Sequence, residues 1–307
     1  MMKKKNILLL GCSLKQVEYA KYLYNNSFNL IIVDKSLIRI NDTKFTHIKT
    51  GYDNIDSIIN NLSDLNINPD IIFTAADQIS LIYCCEISEK LNIKFRLKKD
   101  LAVMINTKFK FYDNFVRHGL NIPETEFHNS RESLIASLSE RVKSGKVFYV
   151  KSDYSKNPRY VYKIESLKHL EKVNWVKDRY LKEGYVAQPL IEGDCYRINL
   201  FNDKSILFDF VTNNLLQTYP DELKKYIDNL RSFVFSNELK NEVVKFDVIF
   251  NEKDGTKVLD IGLDPPLRLV KYCYEKNINF VEAYCELGLG NSMYMNKLFN
   301  NVIQSTN

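Results

Sequence analysis

Apolar residues open the chain as a short unbroken run, Ile7-Leu8-Leu9-Leu10, that stops at Gly11 and predicts a buried strand. From Gln16 to Tyr24 they recur at helical spacing, and Leu30-Ile31-Ile32-Val33 is a second run closed by Asp34. The same alternation predicts a helix from about Ile55 to Leu62, a strand over Asp70 to Thr74 and a helix from Ser80 to Leu91. Strands alternating with helices imply a parallel sheet whose ligand edge lies at the strand C-termini, where Gly11, Asp34 and Asp77 gather. Gly11-Cys12-Ser13-Leu14-Lys15-Gln16 lacks the second and third glycines of a dinucleotide fingerprint, which argues against a nicotinamide cofactor. Asp34 reads either as a ribose partner or as a plain strand terminator.

After Leu101 the pattern changes. Residues 102–118 read as one amphipathic helix carrying Lys108 and Lys110, closed by Gly119 and followed by Pro123. Lys146 to Lys151 reads as a strand that delivers a lysine at its end, and Gly184 to Asp194 runs into a further strand, Tyr196 to Phe201. Two β-branched runs then flank Asn251-Glu252-Lys253-Asp254-Gly255, a hairpin signal with Asp247 and Asp260 at its outer ends. Such a hairpin brings the two carboxylates face to face, close enough to share a hard cation such as Mg2+. From the hairpin alone, solvated strand ends are equally consistent. Pro265-Pro266 precedes a predicted C-terminal helix from about Asn279 to Leu287.

Composition narrows the classes. The 307 residues suit two or three subdomains, and 45% hydrophobic content is ample for buried cores. With 43 Lys+Arg against 38 Asp+Glu and no basic block longer than Lys3-Lys4-Lys5, no nucleic-acid footprint is expected, whereas small anions remain suitable partners. The six cysteines lack metal-type spacing and read as reduced, packed thiols of a cytoplasmic protein, Cys84 and Cys85 as helix-core residues. No stretch approaches the length of a membrane span, and the short run after the basic N-terminus reads as a strand rather than a signal peptide.

The order of these elements resembles the ATP-grasp superfamily over nearly the whole chain. The resemblance implies an α/β and α+β architecture: an N-terminal Rossmann-like parallel sheet followed by a two-part ATP-grasp module. It divides the chain into a pre-ATP-grasp domain at 1–100, the lysine helix and lid at 101–188, and the body with its metal site at 189–307. The helix ending in Gly119-Leu120-Asn121-Ile122-Pro123 is similar to the family's lysine helix, so Lys108 is implied to contact ATP phosphate. Lys151 matches the second lysine, and Val186 to Asp194 resembles the adenine hinge, with Gln188, Pro189 and Leu190 lining the base and Asp194 near the ribose. Arg197 joins the nucleotide-binding set, and Asp247 and Asp260 match the two acidic metal ligands. Lys245 stands where several amino-acid ligases of this fold keep an arginine, and Arg268 is placed to hold a substrate carboxylate, though a surface salt bridge is its other reading.

The resemblance therefore implies ATP and Mg2+ as cofactors, small-molecule carboxylate and amine substrates, and a ligase that joins them through an acyl phosphate, with a homodimer left open. A phosphotransferase on the same scaffold and a non-catalytic nucleotide-binding protein are the alternatives. Three departures bear on that choice. The second ligand motif reads Asp260-Ile261-Gly262-Leu263-Asp264, so the usual third ligand is a glycine and the usual arginine an aspartate. The lid loop, Ser152 to Tyr160, is poor in glycine and carries Lys156 and Arg159 in place of backbone donors.

Overall fold

The computed structural model describes residues 4–13, 16–36, 40, 44–153, 161–173 and 184–305. Its first sheet is parallel, in the order β3-β2-β1-β4: β1 (Asn6–Leu10), β2 (Asn29–Val33), β3 (Thr46–Ile48) and β4 (Ile71–Thr74). Both faces are covered, which is why its strands read as unbroken apolar runs. Ile7, Leu9, Leu30 and Ile32 pack against α1 (Val17–Asn25) and the C-terminal α10 (Phe280–Gly288). Leu8, Leu10, Ile31 and Val33 pack against α2 (Ile55–Asp64) and α3 (Ser80–Leu91). Cys84 and Cys85 are buried on α3, as the periodicity implied, and all six cysteines are free thiols.

The single helix expected over 102–118 is two helices, α4 (Lys99–Asn106) and α5 (Lys108–Arg117), with Thr107 extended between them. The break has its cause in a residue distant in sequence. Asp153, just after strand β6 (Phe148–Ser152), accepts from the Lys108 N–H through its backbone oxygen at 2.9 Å and from the Phe109 N–H through Oδ1 at 2.7 Å. Two orphan donors at the start of α5 are thereby satisfied from outside the helix, which a continuous helix would not offer.

The second sheet is antiparallel and ordered β5-β8-β6-β7, adding β5 (Glu126–His128), β7 (Val161–Ile164) and β8 (Tyr185–Pro189). Leu134, Leu138 and Val142 of α6 (Arg131–Lys143) and Leu170 of α7 (Leu167–Glu171) cover its core residues Phe148, Val150, Tyr185 and Ala187.

The third sheet is ordered β10-β9-β11-β12: β9 (Asp194–Phe201), β10 (Lys204–Asp209), β11 (Val244–Asn251) and β12 (Gly255–Gly262). Tyr196, Ile198, Leu200, Phe246, Val248 and Val258 pack on one face against α8 (Asp221–Ser236) and the aromatic side of α5, Phe111, Tyr112 and Phe115. Helices α9 (Leu267–Glu275), α10 and α11 (Met293–Gln304) join the other side to the first sheet through Phe201, Phe208, Tyr284 and Phe299. Among the described residues no helix is long and apolar enough to cross a membrane.

Candidate active site

The site is built on the face of the third sheet that turns away from α8. Alternation places Tyr196, Ile198 and Leu200 of β9 and Val244, Phe246 and Val248 of β11 in the core, so Arg197, Asn199, Lys245 and Asp247 share the opposite face. Register then arranges two rows. Asp247 lies opposite Arg197 on one side and Asp260 on the other, and Lys245 lies between Asn199 and Gly262. Asp260 reaches this face only because of a β-bulge: Val248 pairs with Val258 and Asp247 with Asp260, leaving Leu259 as the extra residue. A bulge re-aims the side chains that follow it. The Leu259 carbonyl accepts from the Tyr112 hydroxyl at 2.6 Å.

Each charge on this face has a partner. Arg197 grips Asp247 bidentately, Nε to Oδ1 at 2.6 Å and Nη2 to Oδ2 at 2.7 Å. Burial works against the Arg197 charge, yet the bonds to Asp247 and the neighbouring Asp260 and Asp264 outweigh it and hold the guanidinium above its ordinary pKa. Lys245 Nζ lies 2.6 Å from Asp264 Oδ2. Arg268, at the start of α9, makes no salt bridge to another of the described residues. Its Nη2 donates to the Phe210 carbonyl at 2.8 Å and its guanidinium stands 4.0 Å from the Phe210 ring centroid, with the Arg197 guanidinium 5.4 Å from the same ring. Burial and the Arg197 charge push the Arg268 pKa down, so the two guanidinium groups belong to one electrostatic neighbourhood.

The first sheet contributes its C-terminal edge. Asp77 accepts from the Tyr52 hydroxyl at 2.9 Å and from the Ser80 N–H at 3.1 Å. Burial raises its carboxyl pKa against those two bonds, and Asp264 raises it further, which places the edge of the first sheet beside the end of β12. Gln78 makes the mechanical link: Nε2 donates to the Ile105 carbonyl at 2.8 Å and Oε1 accepts from the Leu263 N–H at 3.3 Å. Asp34 is a loop organiser, accepting from the N–H groups of Cys12 at 2.8 Å and Ser36 at 2.9 Å. Burial, helped by Asp34, lifts the Cys12 thiol to about 11, so it is no nucleophile at neutral pH.

Helix α5 and the second sheet supply the remaining side chains. Lys108 is buried at the first turn of α5. Lys151 Nζ donates to Gln188 Oε1 at 2.8 Å, and Gln188 Nε2 donates to Thr125 Oγ1 at 2.9 Å. Burial and nearby Asp260 push the Tyr112 phenol up while Gln188 pulls it back, so Tyr112 stands near both Gln188 and the Asp face. Pro189 is half-buried, and Leu190 and Asp194 are exposed. Gly193, at φ +156°, lets the chain pass over the end of β11, because a Cβ there would overlap the Phe250 carbonyl. Lys156 and Arg159 lie outside the described residues.

Among the described residues no three His, Cys, Asp or Glu side chains stand in a metal-holding group, so Asp247 and Asp260 are the carboxylates on offer. Two facing carboxylates suit a hard cation that keeps waters and takes phosphate oxygens. Both oxygens of Asp247 accept from Arg197. A carboxylate has about four lone-pair positions, which leaves room for a cation as well.

No protein-family profile and no curated protein sequence matches the chain. Solved structures do. An L-amino acid ligase from Bacillus licheniformis superimposes with a TM-score of 0.69 at 14% identity, covering 94% of this chain and 75% of that one. D-alanine–D-alanine ligase from Bacillus anthracis, complexed with ATP, gives 0.64 at 16% identity over 96% of this chain and 99% of its own. An ATP-grasp protein with a RimK domain from Sphaerobacter thermophilus gives 0.60 at 11% identity, over 92% and 99%.

This chain has the ATP-grasp fold. Within the ATP-grasp fold the structure brings Arg197, Lys245, Asp247, Asp260 and Arg268 to one face and joins Lys151 and Gln188 to it through Tyr112. Tyr112, Gln78, Tyr52 and Phe210 were not among the sequence candidates. Tyr112 carries the same helical spacing as its core neighbours Phe111 and Phe115, and Gln78 sits in a loop, so neither has a distinguishing sequence signal.

Proposed function

We propose that this chain is an ATP-dependent, ADP-forming carboxylate–amine ligase acting on amino-acid-like small molecules. The observation that carries the reading is the facing pair Asp247 and Asp260, re-phased by a bulge onto a face that also holds Arg197 and Lys245. A decayed site has no reason to keep two like charges opposed. Support comes from the fold, whose solved examples include an amino acid ligase and a ligase with bound ATP. The proposal divides the chain at 100 and 188, with nucleotide held between the lid and the body.

Lys108 and Lys151 take the nucleotide phosphates, Gln188, Pro189 and Leu190 line the base, and Asp194 meets the ribose. Asp247 and Asp260 would hold Mg2+, which supplies charge neutralisation for the phosphates when bound. Arg197 orients Asp247 and lends its own charge to the phosphoryl group, and Arg268 takes a substrate carboxylate. In the first step a carboxylate oxygen attacks the γ-phosphorus and the bond to the bridging oxygen breaks, releasing ADP. In the second the amine nitrogen attacks the acyl carbon, phosphate leaves, and the amine proton passes to solvent. Neither step needs a protein nucleophile. The acyl phosphate needs only preorganised cations to form and a dry cleft to survive.

The test supplies ATP, Mg2+ and a panel of amino acids with hydroxylamine, and looks for hydroxamates together with ADP. A hydroxamate that depends on one carboxylic acid identifies the acid. A stable phosphorylated product that resists hydroxylamine selects a phosphotransferase. The absence of saturable ATP and ADP binding up to millimolar concentrations overturns the reading altogether.

A further inference from the structure

We infer that this face is built for one divalent cation rather than two, with the Lys245 ammonium serving as the second positive charge beside the phosphates. The inference rests on the nucleotide reading above and concerns how its charge is balanced.

The two rows of the face differ in kind. One holds Arg197, Asp247 and Asp260; the other holds Asn199, Lys245 and Gly262, with no carboxylate in it. Gly262 is two residues beyond Asp260 on the same strand, so it shares that side chain's face, and it is the position from which β12 could present another ligand. That place is filled. A Cβ added at Gly262 would overlap Lys245 Cε and lie 2.9 Å from Gln78 Oε1. The lysine stem therefore runs across the glycine, and the glycine is what lets it do so.

The stem then carries the ammonium past the strand end to Asp264, at 2.6 Å. Asp264 is the next carboxylate along the chain from Asp260, and it is engaged by a cation of the protein's own. Both partners are shielded, Lys245 with 18% and Asp264 with 25% of the side chain exposed, so the pair is not a loose surface contact. A second divalent ion here would lack a carboxylate at 262, compete with lysine for Asp264, and face ammonium repulsion across a poorly solvated gap. Charge balance for a polyphosphate is then reached with one exchangeable cation and one tethered one. A tethered charge carries no entropy cost of capture and does not dissociate with ADP.

The stoichiometry is directly measurable without turnover. The wild-type protein is titrated with Mn2+ at saturating ADP or a non-hydrolysable ATP analogue; free Mn2+ is read by electron paramagnetic resonance and bound nucleotide by equilibrium dialysis. One Mn2+ per bound nucleotide is the expected result. In Lys245→Ala combined with Gly262→Asp, which removes the stem that fills this place and puts a carboxylate there, the ratio rises towards two. In Lys245→Met alone, nucleotide affinity falls at least several-fold while the ratio stays at one. Two Mn2+ per nucleotide on the wild type overturns the inference and leaves the nucleotide reading standing, and so does a Lys245→Met variant of unchanged affinity. Absence of nucleotide binding on the wild type removes both. If the double variant does not fold, the wild-type ratio and the single variant decide.

Discussion

Asp247 and Asp260 illustrate how much a single register step matters. Counting back from the turn without a bulge would pair Asp247 with Leu259; the extra residue moves Asp260 into place and brings it onto the face that Arg197 and Lys245 share. Two carboxylates held this way repel unless cations lie between or beside them, and Arg197 already answers for Asp247. Asp260→Asn removes a charge without removing volume. Its expected outcome is loss of ATP turnover by two orders of magnitude or more with an unchanged or higher melting temperature. Phosphate release and a thermal melt on the same preparation check both halves, and near wild-type turnover would make the pair structural.

At the scale of elements strand β5 of the second sheet carries a titratable group apart from the face that holds Asp247 and Asp260. His128 is buried, and burial, with Arg141 adding to it, pushes its imidazole pKa down against the opposing pull of Glu126. Its Nδ1 lies 3.3 Å from Ser133 Oγ on α6. A base whose folded pKa lies below its unfolded value binds fewer protons in the native state. Its contribution to stability is therefore present above about pH 6.5, the ordinary histidine value, and is lost as pH falls through the folded pKa. Protection factors of β5 and β8 amides, corrected for the intrinsic exchange rate at each pH, should fall from pH 7.5 to pH 5, and His128→Leu should flatten that dependence. An unaltered pH slope in the variant would assign the acid sensitivity to another group.

At the scale of the whole molecule a buried ion pair ties the segment after α3, beside the first sheet, to the start of the third. Arg96, after α3, meets Glu242, before β11, and its Nη2 also donates to the Tyr284 hydroxyl of α10 at 3.1 Å. Only 12% and 6% of these two side chains are exposed. Burial pushes the Glu242 carboxyl up and Arg96 draws it back, so removing the arginine strands an acid in the core. Breaking such a pair costs about 3–5 kcal/mol, whereas replacing both partners by apolar groups is often neutral. Arg96→Met should accordingly lower the melting temperature sharply and Arg96→Met with Glu242→Leu should restore much of it. A double variant no better than the single would show that the link to Tyr284, rather than the charge pair, carries the effect.

The sequence by itself determined the elements whose signals are local. Unbroken apolar runs ending at Gly11 and Asp34 marked parallel strands buried on both faces, the turn before Gly255 marked the hairpin, and the spacing from Ser80 to Leu91 marked α3 to the residue. It also placed both aspartates of the candidate site at the ends of one hairpin. Only the tertiary structure decided the break at Thr107, because the group that caps α5 is Asp153, 46 residues beyond the break itself. Only it decided the partners of the charges, Arg197 with Asp247 and Lys245 with Asp264, and the use of Gly262 as the channel for a lysine stem. The division has one physical reason. Periodicity and turn chemistry are properties of neighbouring residues, while pairing, capping and close approach depend on which distant side chain packing delivers to the same few ångströms.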